Sequence, residues 1–136
     1  MALFAGIRAA MLYGKAMARF HQARFADAAN LLERNLTLDP WQDRKELVYA
    51  YLGQCYLALG RDTEAVDLLS KAYEPLNLRS VGLSKIFERQ EFLQFLSALS
   101  RALRRTGQLE RAQHITEQEE RWEATLKSNV GEDSPE

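Results

Sequence analysis

The sequence predicts an all-α fold. Ala, Leu, Arg, Glu and Gln dominate the chain, and all are good helix formers. Only 7 Gly and 3 Pro punctuate 136 residues, and no stretch keeps the strict alternation of a half-buried strand. Breakers fall at Asp39-Pro40, Gly60-Arg61-Asp62, Pro75 to Ser80, Gly107 and from Ser128 onward. Between them lie segments of roughly 12 to 25 residues with apolar positions at helical spacing.

The chain opens with an apolar stripe, Leu3, Phe4, Ile7, Met11 and Leu12. It reads as a helix that caps the first hairpin, pairs with a second copy or docks on a partner, because an exposed stripe of that size favours association. Arg8 and Lys15 interrupt the run too early for a signal-peptide core or a membrane span. Next comes Arg24-Phe25-x-x-Ala28-x-x-x-Leu32-x-x-Asn35, closing on Leu38-Asp39-Pro40. Asp39 is placed to cap the following helix, with Pro40 in its first position and Gln42 where a capping box wants it. The glycosylation triplet Asn35-Leu36-Thr37 reads as a chance match.

The middle of the chain is the most regular: Tyr49-x-x-Leu52-Gly53-x-x-Tyr56, then Gly60, then Ala65-x-x-x-Leu69-x-x-Ala72, with Pro75 shortly after. Gly53 and Ala65 let two antiparallel helices approach closely, Tyr56, Leu69 and Ala72 fill the seam, and Gly60 supplies the turn. A third unit reads Leu96-x-x-Leu99-Ser100-x-x-Leu103, then Gly107-x-Leu109-x-x-Ala112, with Thr116 where a large apolar residue is expected. Ahead of it, Ser80, Leu83, Ile86, Phe87, Gln90 and Leu93 continue the stripe, so its first helix should be long and begin near Ser80 or Ser84. The last helix should run from Gln108 to about Lys127, with Gln113, Glu117, Glu120, Arg121 and Glu123 on a wet side. Residues 128–136 read as a disordered acidic tail.

These units resemble the tetratricopeptide repeat (TPR), a helix–turn–helix of about 34 residues with an aromatic, Leu-Gly, Tyr, a small residue, a large one and Pro in order. Tyr49 stands for the usual Trp. In the first unit Tyr13 and Ala16 fit, but Arg19 stands where Tyr belongs. The small anchors Ala28, Ala65 and Ala112 are 37 and 47 residues apart. The resemblance implies a short right-handed superhelix of antiparallel helix hairpins, a TPR-like α-solenoid. It would form one domain over residues 1–127, with repeats at about 9–42, 43–76 and 80–126.

The resemblance also implies a concave groove, lined by the first helix of each hairpin, that binds a peptide or helix of a partner protein. An adaptor, scaffold or chaperone-like module would use such a groove. The positions carried over are Tyr13, Met17 and Phe20 from the first unit, Leu47, Ala50, Gln54 and Leu57 from the second, and Gln94, Ser97, Arg101, Arg104 and Arg105 from the third. Met17 and Phe20 equally suit a core, and the arginines equally suit the C-terminus of a helix. Guanidinium forks opposite aromatic anchors favour an amphipathic ligand with an acidic flank. Repeats that grip the carboxylate tail of heat-shock chaperones use Lys and Asn, whereas the matching places here hold Tyr13, Met17 and Tyr51. The alternative reading is a self-associating assembly protein, a homo-oligomer built through the repeats or the N-terminal helix.

Composition narrows the classes. The 18 Lys and Arg against 19 Asp and Glu leave a net charge of -1, so no global positive field gathers nucleic acid. One cysteine forms no internal disulfide, which suits a reducing cytoplasm. His21 and His114 sit beside no nucleophile and in no metal-ligand spacing, and no phosphate-binding Gly-rich loop occurs. Neither catalysis nor a metal or cofactor is expected, and Cys55 reads as a buried, inert thiol.

Overall fold

A computed structural model describes residues 2–40, 42, 45–80 and 86–132. Six helices follow in order: α1 Ala2–His21, α2 Phe25–Leu38, α3 Lys45–Ala58, α4 Asp62–Ser80, α5 Ile86–Arg105 and α6 Leu109–Glu132. Among the described residues there is no strand. Consecutive helices pair as α1 with α2, α3 with α4 and α5 with α6, while α2 packs on α3 and α4 on α5. The hairpins therefore stack in a row. The second helix of one hairpin supports the first helix of the next.

All three hairpins turn through the same main-chain motif. Arg24, Arg61 and Gln108 donate their N–H to the carbonyls of Arg19, Tyr56 and Leu103 at 2.9, 2.8 and 2.8 Å. One residue earlier, Ala23, Gly60 and Gly107 donate to Phe20, Leu57 and Arg104. This double bond pattern needs a left-handed residue just past the helix. Gly60 and Gly107 supply it at φ +79°, and Ala23 is forced to φ +60°. The second helices then begin alike, with Ala28, Ala65 and Ala112 bonded to Arg24, Arg61 and Gln108. Those three alanines are fully buried. Acidic residues in the first turns, Asp27, Asp62 with Glu64, and Glu110, complement the helix dipoles.

The core runs unbroken through the stack, from Ala16, Ala28 and Leu32 through Val48, Leu52, Tyr56 and Leu69 to Phe95, Leu99, Leu103 and Ile115. Gly53 marks the tightest helix contact: a Cβ there would lie 2.7 Å from Leu69 Cγ and 3.3 Å from the Leu69 main-chain nitrogen. Thr116, standing where a large apolar residue was expected, returns its hydroxyl to the Ala112 carbonyl at 2.9 Å. Asn35 is buried, donating to the Ala9 carbonyl at 2.6 Å and accepting from Gln42 at 2.8 Å.

Several element boundaries differ from the sequence expectation. The apolar start is no separate cap, because α1 is one helix from Ala2 to His21 and is itself the first helix of hairpin one. Its stripe is split, with Leu12 buried while Phe4, Ile7 and Met11 face out; the side chain of Leu3 is outside those described. Asp39 does not cap the start of α3. It closes α2 through its N–H to the Asn35 carbonyl, and Gln42 bonds back to the Asp39 carbonyl. Pro40 precedes α3 by several residues. Pro75 lies inside α4, which continues to Ser80. Contacts on both sides of the proline hold the helix together: Tyr73 bonds Gln118, and Gln118 donates to Asn77 at 3.4 Å. Ser80 thus ends α4, and α5 begins at Ile86, with Leu83 and Ser84 outside the described residues. At the other end, α6 continues through residues 128–132 of the segment expected as a tail, and residues 133–136 are outside those described.

Three outcomes follow from this packing. Gly53→Leu overpacks the seam against Leu69 and lowers stability by about 1–3 kcal/mol, read as a lower thermal midpoint; a variant melting with the wild type would refute the register. Ala23→Gly relieves a left-handed alanine and raises stability by about 1 kcal/mol, measurable in the same scan. Cys55 is fully buried, and burial pushes its thiol up to about 12. Since the thiolate is the nucleophile, a disulfide-exchange reagent at pH 8 should leave Cys55 unlabelled until denaturant opens the fold.

Candidate functional site

The first helices α1, α3 and α5 come together on one face of the stack. Between them lies a hollow of about 340 Å³ lined by Phe20, Phe25, Gln54, Leu57, Ala58, Ala98, Arg101 and Arg105. Helical spacing explains the set. Gln54, Leu57 and Ala58 share one side of α3, and Ala98, Arg101 and Arg105 share one side of α5 at intervals of three and four. Five positions carried over from the repeat resemblance therefore meet at one place: Phe20, Gln54, Leu57, Arg101 and Arg105.

Aromatic rings build the α1 wall. Phe20 meets Tyr51 edge-on at 5.1 Å between centroids and Phe25 at 5.6 Å, and Tyr13 meets Tyr51 at 6.4 Å. Tyr51 hydrogen-bonds Glu91 of α5, and Glu91 also faces Tyr13. Burial first, then the Glu91 charge, raises both phenols above their ordinary value. Both hydroxyls thus stay protonated at neutral pH, and that of Tyr51 donates to Glu91. Gln54 turns its amide back to the Ala50 carbonyl at 3.2 Å.

The basic end has two different arginines. Arg105 sits 3.4 Å from the Leu57 carbonyl and 3.5 Å from Asp62 Oδ1, tying α5 to the end of hairpin two. Arg101 is exposed and has no ion pair or hydrogen bond among the described residues. Glu91 and Arg101 are ten residues apart on α5, roughly 15 Å along its axis. The groove therefore carries a carboxylate and two tyrosines at one end and two guanidiniums at the other.

Other expected positions fall elsewhere. Arg104 bonds the Thr116 hydroxyl and so faces its own hairpin partner α6. Ala50 is buried; Leu47 and Ser97 are half-buried, Gln94 is exposed, and none of them lines the hollow. Met17 is half-buried and packs against the core. Glu91, Ala98 and Phe25 belong to the site although none of them was among the groove positions carried over from the repeat. Glu91 precedes Gln94 by three residues and Ala98 by seven, so helical spacing alone could have placed it on the groove face.

No group of His, Cys, Asp and Glu among the described residues is arranged to hold a metal ion, and no described helix is long and apolar enough to cross a membrane. No family model and no curated protein matches the chain. Two solved structures do, both of a proposed kinesin light chain of Podosopora anserina with nearly identical TPR-like repeats, one a single-residue variant of the other. The variant is 23% identical with a TM-score of 0.54, and the match covers 89% of this chain and 57% of that one. The other is 24% identical with a TM-score of 0.53, covering 87% of this chain and 56% of that one. The chain thus spans little more than half the length of the repeat proteins it resembles. Its fold is a TPR-like array of helical hairpins.

Proposed function

We propose that the chain is a protein-interaction module that takes a segment of a partner protein along its concave face, as an adaptor, scaffold or chaperone-like component of a reducing cytoplasm. One observation carries this reading. The hollow of about 340 Å³ is lined by the first helices of all three hairpins, and Arg101 at its edge has no partner among the described residues. An apolar ligand side chain enters between Phe20 and Leu57, and a carboxylate of the ligand pairs with Arg101. At the other end, the Tyr13 hydroxyl can donate to a main-chain carbonyl, and Glu91, which accepts from Tyr51, suits a cationic group of the ligand. The TPR-like fold supports the reading, since such arrays present extended concave binding surfaces.

The apolar anchor supplies most of the affinity, because an exposed ion pair contributes only about 0–1 kcal/mol. Arg101 tunes on-rate and salt dependence instead. The test is selection of a displayed peptide library on the immobilised chain, followed by titration of the enriched peptides. Those peptides should combine an aliphatic or aromatic residue with nearby Asp or Glu. Phe20→Ala should weaken them at every salt concentration, by roughly tenfold or about 1.4 kcal/mol. Arg101→Glu should flatten the salt dependence. Enriched peptides indifferent to both substitutions would place binding on another surface.

A further inference from the structure

The two ends of the stack differ. On α6, the positions that repeat the next-hairpin-facing Ala29, Glu33 and Leu36 of α2 and Val66, Ser70 and Tyr73 of α4 are Gln113, Glu117 and Glu120. All three are exposed and polar, the face of a terminal element that ends an array. The α1 end is the opposite. Counting from the equivalent anchors Ala28, Ala65 and Ala112, Met11, Lys15 and Ala18 of α1 correspond to Val48, Leu52 and Cys55 of α3 and to Phe95, Leu99 and Ala102 of α5. In α3 and α5 these side chains are at most 2% exposed, within hairpins on which α2 and α4 pack. In α1, Met11 is 59% exposed, and Ile7 and Phe4 on the same side are 50% and 63% exposed. A surface of the kind that receives a helix twice within this fold is left open a third time.

A groove of about 500 Å³ between α1 and α2 adjoins that surface, with Met11, Leu12 and Leu38 on its floor. Its charged lining is Arg8, Lys15 and Arg34, with no carboxylate. We propose that this end is a second docking site, distinct from the concave groove, and that its occupant is an amphipathic helix of a partner protein with carboxylates flanking its apolar stripe. The helix takes on α1 the position that α2 holds on hairpin two and α4 on hairpin three. It buries its apolar stripe on Phe4, Ile7 and Met11 and sets its acidic flank against the three cations.

A second copy fits poorly on two counts. α1 contains no Asp or Glu, so an α1–α1 pair opposes like charges. The acidic helix α6 keeps little apolar surface for a second copy: Ala112 and Ile115 are buried, Trp122 packs on Phe92 at 5.3 Å, and among its described side chains Leu109 is the one large apolar residue left exposed. An anionic bilayer would match the charge, but the surface is grooved and its counterparts on α3 and α5 receive helices.

The experiment uses the full chain and two synthetic amphipathic helices sharing one leucine face, one flanked by Glu and the other by Lys. Calorimetric titration at low salt should show the Glu-flanked helix binding at least about tenfold tighter than its twin. Ile7→Glu with Met11→Glu changes only exposed side chains and should keep the wild-type melting curve while weakening that binding at least about tenfold. Arg101→Glu should leave it unchanged, which separates this site from the concave groove. Equal binding of the two helices, or indifference to the Ile7 and Met11 changes, overturns the proposal. So does sensitivity to Arg101→Glu. Concentration-dependent dimers by light scattering, lost in the double variant, would assign the surface to a second copy. Sedimentation with phosphatidylserine vesicles, lost in the same variant, would assign it to a membrane.

Discussion

In the second hairpin α3 and α4 come so close that a Cβ has no room between them, and in every hairpin small residues are buried where the two helices meet. Gly53 lies against Leu69 with no room for a Cβ, and Ala16, Ala28, Ala65 and Ala112 are buried along the seams. Close approach lets the large side chains on either side, Leu32, Leu69 and Leu103, interdigitate across a short distance at crystal-like density. Hairpins so tightened behave as stiff units. They have one face left for the next hairpin and one for the groove, so the open concave side follows from the small residues of the seam.

Stiff hairpins still need a fixed angle between them, and polar contacts across the hairpin boundaries set it. The Tyr56 hydroxyl bonds Glu33, joining hairpin two to α2, and burial with that partner pushes the phenol up to about 12. Arg61 stacks over the same ring at 3.9 Å. Buried Asn35 bonds Ala9 on one side and Gln42 on the other, so it fastens both helices of hairpin one to the connection before α3. Arg105 reaches from hairpin three to the carbonyl end of α3. Hydrogen bonds are directional where apolar packing is not, and a buried polar group with one arrangement of partners specifies one geometry. The hollow between the first helices depends on these bonds for its width.

On the proposed function, the chemistry of the concave face serves recognition. Its phenols are held protonated, its aromatic rings pack edge to face, and its charges stand at opposite ends of α5. A surface of this kind distinguishes ligands by where they place an apolar side chain and a charge, with little reorganisation on binding. Arg101 and Arg105 show how two adjacent arginines divide their roles. Arg105 is engaged by Leu57 and Asp62, and Arg101 has no partner among the described residues.

The sequence by itself determined the helical class, the three hairpins, the turns at Gly60 and Gly107 and the tight contact at Gly53, because each rests on a local property: propensity, periodicity, or a residue that alone permits a conformation. The same local logic misplaced the boundaries wherever a distant contact outweighed it. Pro75 reads as a helix end, yet Gln118 of α6 binds Tyr73 before it and Asn77 after it and carries α4 through. Ala23 gives no turn signal, yet the packing of α1 on α2 imposes the left-handed bend that glycine makes in the other two hairpins. The groove was legible at Phe20, Gln54, Leu57, Arg101 and Arg105, whose helical spacing puts them on the right faces. Only the tertiary structure turned Arg104 toward Thr116, drew Glu91 to Tyr51 and split the N-terminal stripe into a buried Leu12 and an exposed Met11. Periodicity says which residues share a face of a helix, and what that face meets is decided by the neighbouring helices.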